Sequence, residues 1–188
     1  MKTVILILTL AGVAGIGQAE IAPLLVDDFS GGKSAIGPSW TPISDRVMGG
    51  RSDVASSIED VDGRRALKLS GTVRTANNGG FIQARLDLIR DRKPLDARAY
   101  TGIRLLVKGD GQGYFIHLRT SGTILPWQYY GVQLALTGAW QTIEVPFDSF
   151  RPEGLGRKLD PEKLTSLALV AAKGNFSALA YLGGAWLY

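Results

Sequence analysis

FIQARLDL, residues 81–88, sets Ile82, Ala84, Leu86 and Leu88 against Gln83, Arg85 and Asp87. A helix at 3.6 residues per turn would scatter these side chains around its circumference, whereas a pleated strand sorts them onto two faces. One apolar and one polar face is what a half-buried antiparallel strand requires. The same period recurs in ALKLSGTVR (66–74), with Leu67, Leu69 and Val73 inward, and in GIRLLVKG (102–109), with Ile103, Leu105 and Val107 inward. GYFIHLRT (113–120) places Ile116 and Leu118 inward, YGVQLAL (130–136) Val132, Leu134 and Leu136, and QTIEVPF (141–147) Ile143, Val145 and Phe147.

Turn chemistry punctuates these runs. Asp62-Gly63, Asn77-Asn78-Gly79-Gly80, Gly109-Asp110-Gly111 and Thr137-Gly138 offer residues that tolerate positive φ. The stretch from Gly109 to Gly113 reads as a hairpin turn rather than a dinucleotide loop, because a strand and not a helix follows it. Helical pieces are short; the best is Asp160–Leu164, where Asp160 caps and Pro161 takes the first position. Many short alternating strands with such turns predict an all-β antiparallel sandwich with few short helices.

The chain opens with Lys2, then an uncharged, mostly apolar run from Val4 to Gly17, and small residues at Gly17 and Ala19. The run is shorter than the roughly 20 residues a membrane span needs. Residues 1–19 therefore read as an export signal cut before Glu20, and residues 20–188 as one domain that folds alone without stable membrane insertion. The expected location is periplasmic or secreted. A net charge of +4 over 188 residues, with no long basic run, gives no footprint for nucleic acid. The absence of cysteine removes disulfides, thiol catalysis and cysteine zinc sites together.

SDRVMGGRSD, residues 44–53, has company along the chain: Asp27-Asp28-Phe29 and Trp40 before it, then Gly79-Gly80-Phe81, Tyr100-Thr101-Gly102-Ile103, Lys108-Gly109-Asp110-Gly111 and Leu118-Arg119-Thr120. Trp140, Val145-Pro146-Phe147 and Phe150 follow. This order resembles the complex I intermediate-associated protein 30 family, from Asp27 to the C-terminus. The resemblance implies a galactose-binding-like jelly roll and functions in complex I assembly or as an accessory domain. It carries no catalytic residue set. An exported member would not reach the cytoplasmic arm of bacterial complex I, which moves the reading from assembly chaperone toward a binding module.

The residues themselves sort into a structural loop and a candidate platform. In the loop, Gly49 and Gly50 allow a sharp turn, Val47 and Met48 are expected to plug into the sandwich, and Asp45 and Ser52 to bond loop amides. Arg46 and Arg51 are its candidate ligand contacts. His117, the sole histidine, shares a strand face with Phe115 and Arg119. It falls short of a zinc ligand set, and no Gly-x-Ser-x-Gly elbow accompanies it. Gln83, Arg85, His117, Arg119, Trp127 and Tyr129 together offer rings and hydrogen-bonding groups suited to a sugar or peptide; burial of Trp127 and Tyr129 under a loop or the second sheet is the competing placement. The acidic groups Asp27-Asp28 and Glu59-Asp60-x-Asp62 read as solvated turn residues, with neither the paired cleft of a glycosidase nor an EF-hand spacing. The expectation is a non-catalytic module, without metal or cofactor, that binds a protein partner or a carbohydrate-like ligand. The rivals are an assembly chaperone and a carbohydrate-active hydrolase.

Overall fold

The computed structural model describes residues 21–188; the expected export signal lies outside them. Twelve strands follow in chain order: β1 (Leu24–Asp27), β2 (Thr41–Ser44), β3 (Asp53–Val61), β4 (Arg64–Val73), β5 (Phe81–Asp87), β6 (Gly102–Gly109), β7 (Tyr114–Thr120), β8 (Tyr129–Leu134), β9 (Gln141–Pro146), β10 (Arg151–Glu153), β11 (Leu164–Ala172) and β12 (Phe176–Leu187). They form two antiparallel six-stranded sheets. In the first, the order is β3-β4-β12-β6-β9, with β1 also on β12; in the second it is β10-β8-β7-β11-β5-β2. The expected β-sandwich is the fold found.

The alternation decides which faces meet. Leu67, Leu69, Ile82, Ala84, Leu86, Ile103, Leu105, Val107, Ile116 and Leu118 are all buried between the sheets. A face of this size supplies the main folding force, at about 25 cal/mol for each Å² of apolar surface removed from water. Two tyrosines, Tyr114 and Tyr130, are also fully buried. Burial and the neighbouring Asp110 push the Tyr114 phenol well above its usual range. Its hydroxyl donates to Asp110 Oδ1 at 2.8 Å and accepts from the Leu179 amide at 2.8 Å, so no polar atom is stranded there.

Two expectations are corrected. Residues 109–113 do not close a hairpin: β6 belongs to the first sheet and β7 to the second, so this turn carries the chain across the sandwich, anchored by Asp110. Asp27 is not a solvated turn residue; it is buried, and accepts hydrogen bonds from the Phe29 amide and the Trp40 indole, both at 2.9 Å. A carboxylate beside an aromatic donor can be taken into the interior because that donor satisfies it.

Candidate functional site

One face of the second sheet packs on the core; the other carries a groove of about 370 Å³. Its floor is β11, the strand in the middle of that face. There Ser166, Ala168, Val170 and Ala172 line the groove, while Leu167, Leu169 and Ala171 point into the core. The flanking strands bear longer side chains. Ala168 lies opposite Arg85 on one side and His117 on the other, and Val170 lies opposite Gln83 and Phe115. Small residues between two rows of long ones make a trough.

His117 and Tyr129 form one wall. Their rings stack with centroids 3.8 Å apart and planes 11° from parallel. Gly131 faces His117 across the β7–β8 pair, and a Cβ there would lie 3.1 Å from both rings. The missing side chain thus makes room for the stack. Burial, then the charge of Lys173, pushes the His117 pKa down to about 3. The ring is neutral at ordinary pH, with one donor and one acceptor nitrogen, and among the described residues neither is taken by a protein hydrogen bond.

A pH dependence follows. The unfolded histidine takes up a proton below about 6.5, whereas the folded one waits until about 3. Between those values the unfolded state binds more protons, so stability falls as the pH falls through this window. The melting temperature of the wild type should decline more steeply from pH 7 to pH 4 than that of His117→Gln. Parallel curves would remove the histidine from the account.

Arg119 builds the rim. Its guanidinium donates to Thr123 Oγ1, to the Thr123 and Leu125 carbonyls at 2.9 and 3.0 Å, and to Pro126 O. Gln128 adds a second clamp by accepting from the Ile124 and Leu125 amides and donating to Gly154 O. These bonds hold the loop that presents Trp127, which is 55% exposed at the groove's edge. Tyr129 is half-buried at the wall. Neither aromatic is covered by the opposite sheet.

The loop at residues 44–53 reaches the groove differently from expectation. Asp45, fully buried, is its hub: one carboxylate oxygen accepts from the Ser52 amide at 2.9 Å, the other from the Ser52 hydroxyl at 2.5 Å and the Gly80 amide at 2.6 Å. The Phe81 amide also approaches it, at 3.4 Å. Burial pushes this carboxyl up, and the hydrogen bonds from Ser52, Gly80 and Phe81 outweigh it, holding the pKa below the usual carboxylate value. Gly49 ends the turn of 3-10 helix Asp45–Met48 with φ 87°. A Cβ on Gly50 would overlap the Asp45 carboxylate.

The two apolar residues of this loop are not plugs. Val47 is 70% exposed and Met48 is 42% exposed, with Met48 lining the groove beside Gly79 and Gly80. The one-turn helix points its Val-Met pair outward because the buried place is already taken by Asp45. Met48→Ala should therefore shift the melting temperature by no more than a degree or two, while Gly50→Ala should lower it by several degrees, as measured by thermal denaturation.

Gln83, Arg85, His117, Arg119, Trp127 and Tyr129 all line the groove. Arg46 and Arg51 do not. Arg46 donates to the Ser52 carbonyl and pairs with Asp53, and the Arg51 carbonyl accepts from Arg74. Met48, Phe81, Glu153 and Lys173 also line it and were not anticipated from sequence as ligand contacts. Among the described residues, no three His, Cys, Asp or Glu side chains converge as metal ligands.

The sandwich shares its fold with carbohydrate-binding modules. A family 11 carbohydrate-binding module from Clostridium thermocellum, solved with a beta-1,3-1,4-mixed-linked tetrasaccharide, superposes with a TM-score of 0.68 at 19% identity, over 90% of this chain and 96% of that one. A family 30 module of a cellulosomal cellulase from the same organism gives 0.51 at 17% identity, over 90% and 94%. The chain matches the family model of complex I intermediate-associated protein 30 (CIA30) over residues 28–176, and it belongs to that family. No curated protein matches it significantly.

Proposed function

We propose that the protein is an exported, non-catalytic binding module that takes a glycan chain along the groove of its second sheet. The carrying observation is the combination on one face: the His117–Tyr129 stack and the exposed Trp127 ring, set beside Gln83, Arg85 and the free nitrogens of His117. Sugar rings present apolar C–H faces to aromatics and hydroxyls to amides and guanidinium groups, so recognition needs both on one surface. The small-residue floor supports this reading, since it leaves an open trough for a chain rather than a closed pouch for one small molecule. The beta-1,3-1,4-mixed-linked tetrasaccharide bound by the family 11 module lends the same reading support from a similar fold.

Calorimetric titration against linear oligosaccharides, with a parallel assay for released reducing ends, tests the proposal. Saturable binding without product supports it. Turnover abolished by a single Asp or Glu substitution would replace it with the hydrolase reading. A protein partner is the second reading, favoured by the exposed Ile124 and Leu125 next to Trp127; it predicts co-purification from cell envelopes and indifference to every sugar.

A further inference from the structure

The charges inside the groove are unbalanced. Arg85, Arg119 and Lys173 line it against the single carboxylate of Glu153. Arg119 spends its donors on backbone carbonyls and the Thr123 hydroxyl, which satisfy hydrogen bonds without neutralising charge. Lys173 sits over the Phe115 ring at 5.0 Å, and no carboxylate pairs with it among the described residues. Arg85 has one acidic neighbour, Asp87 Oδ1 at 3.3 Å, but that carboxylate is half exposed and does not line the groove. The geometry there falls short of a hydrogen bond, so the buried Arg85 Nε has no partner.

The strand register brings two of these cations together. Arg85 lies across from Ala168, and Arg119 across from Ser166, on opposite sides of β11. Both guanidinium groups thus flank the same stretch of floor with no acid between them. The Arg119 pKa is lowered, first by burial and then by the charge of Arg85, as expected for two cations sharing a confined space. Two like charges flanking one stretch of an open trough, with no acid between them, leave a place for an anion.

We infer that the groove selects an acidic glycan, one that seats a carboxylate or sulfate group between Arg85 and Arg119 with Lys173 offering a further cation along the chain. This rests on the glycan reading above and narrows it to a substrate class. The Arg85 guanidinium suits either anion, because each presents paired oxygens to parallel N–H donors, while Arg119, whose donors hold the rim loop, contributes its charge. Neutral His117 then serves the sugar hydroxyls rather than the charge.

The test compares ligands of one shape with and without charge, on the wild-type protein. Oligogalacturonate is titrated beside its methyl ester, and a sulfated galactan oligosaccharide beside its desulfated form. The expected result is binding at least about tenfold tighter for one or both charged members, the loss expected when a charge-assisted hydrogen bond is removed. The preferred pair identifies the anion. Raising salt should weaken the charged ligand far more than the neutral one, and Arg85→Gln/Lys173→Gln should erase the difference between the pair. Equal affinity for charged and neutral members would overturn this inference while leaving a glycan module in place. Binding to no glycan of either kind would overturn both.

Discussion

Asp45→Ala is expected to lower the melting temperature by about 10 °C, the largest stability effect of any single substitution in the loop at residues 44–53. The carboxylate is fully buried and gathers the amide and hydroxyl of Ser52 and the amides of Gly80 and Phe81. Its removal leaves donors that have lost a charged acceptor and cannot all reach water. Each such loss costs about 1–3 kcal/mol, and a total of about 3–5 kcal/mol moves the transition of a domain this size by about 2–4 °C per kcal/mol. Asp45→Asn should recover part of the loss, since an amide oxygen still accepts. The carboxylate is also an acid-sensitive clasp. Its pKa is depressed on folding, so its contribution is intact above the ordinary carboxylate value and is lost as the pH falls through the folded one. Thermal melts of the three proteins decide the matter, and a wild-type melting temperature in Asp45→Ala would contradict this account of the loop.

Trp127→Ala is expected to have the largest effect on binding and almost none on folding. The ring is more than half exposed, so its removal takes little from the core. It stands at the groove's edge on a loop fixed by Arg119 and Gln128, so a ligand that stacks on it meets a surface already in position. Loss of an aromatic anchor of this kind typically costs about 2 kcal/mol or more, roughly a thirtyfold loss of affinity. Arg119→Ala should weaken binding by a different route, through the loosened loop, and the two substitutions together should cost less than the sum of each alone.

The sandwich was legible where one face of a strand met water. β4 to β9 alternate because half of each faces out, and their inward residues could be named from period alone. β11 and β12 could not be read in the same way. LTSLALVAA is small or apolar on both faces, since one face is core and the other the groove floor. In β12, FSALAYLGGAWL, the register against β6 shifts at Gly183, which interrupts any simple pattern.

The groove was half legible for the same reason. Gln83 and Arg85 were visible as one polar face, and His117 and Arg119 as another. Their meeting across β11 depends on long-range pairing that no local pattern records. Lys173 and Phe81 were hidden because they flank that unread pairing. Met48 was misread because an apolar side chain next to two glycines looks like a plug, while the buried position belongs to a carboxylate that gathers donors from Ser52 in its own loop and from Gly80 and Phe81 far along the chain.

The central claim is that the outer face of the second sheet is the binding surface. Titration of isotope-labelled protein with a charged oligosaccharide, followed by amide and indole NMR shifts, tests it most directly. The account predicts saturable changes concentrated at the Trp127 indole, His117, Tyr129, Gln83 and Arg85, with the β3–β4 hairpin unmoved. Saturable changes confined to the first sheet, or to Arg46 and Arg51, would contradict it.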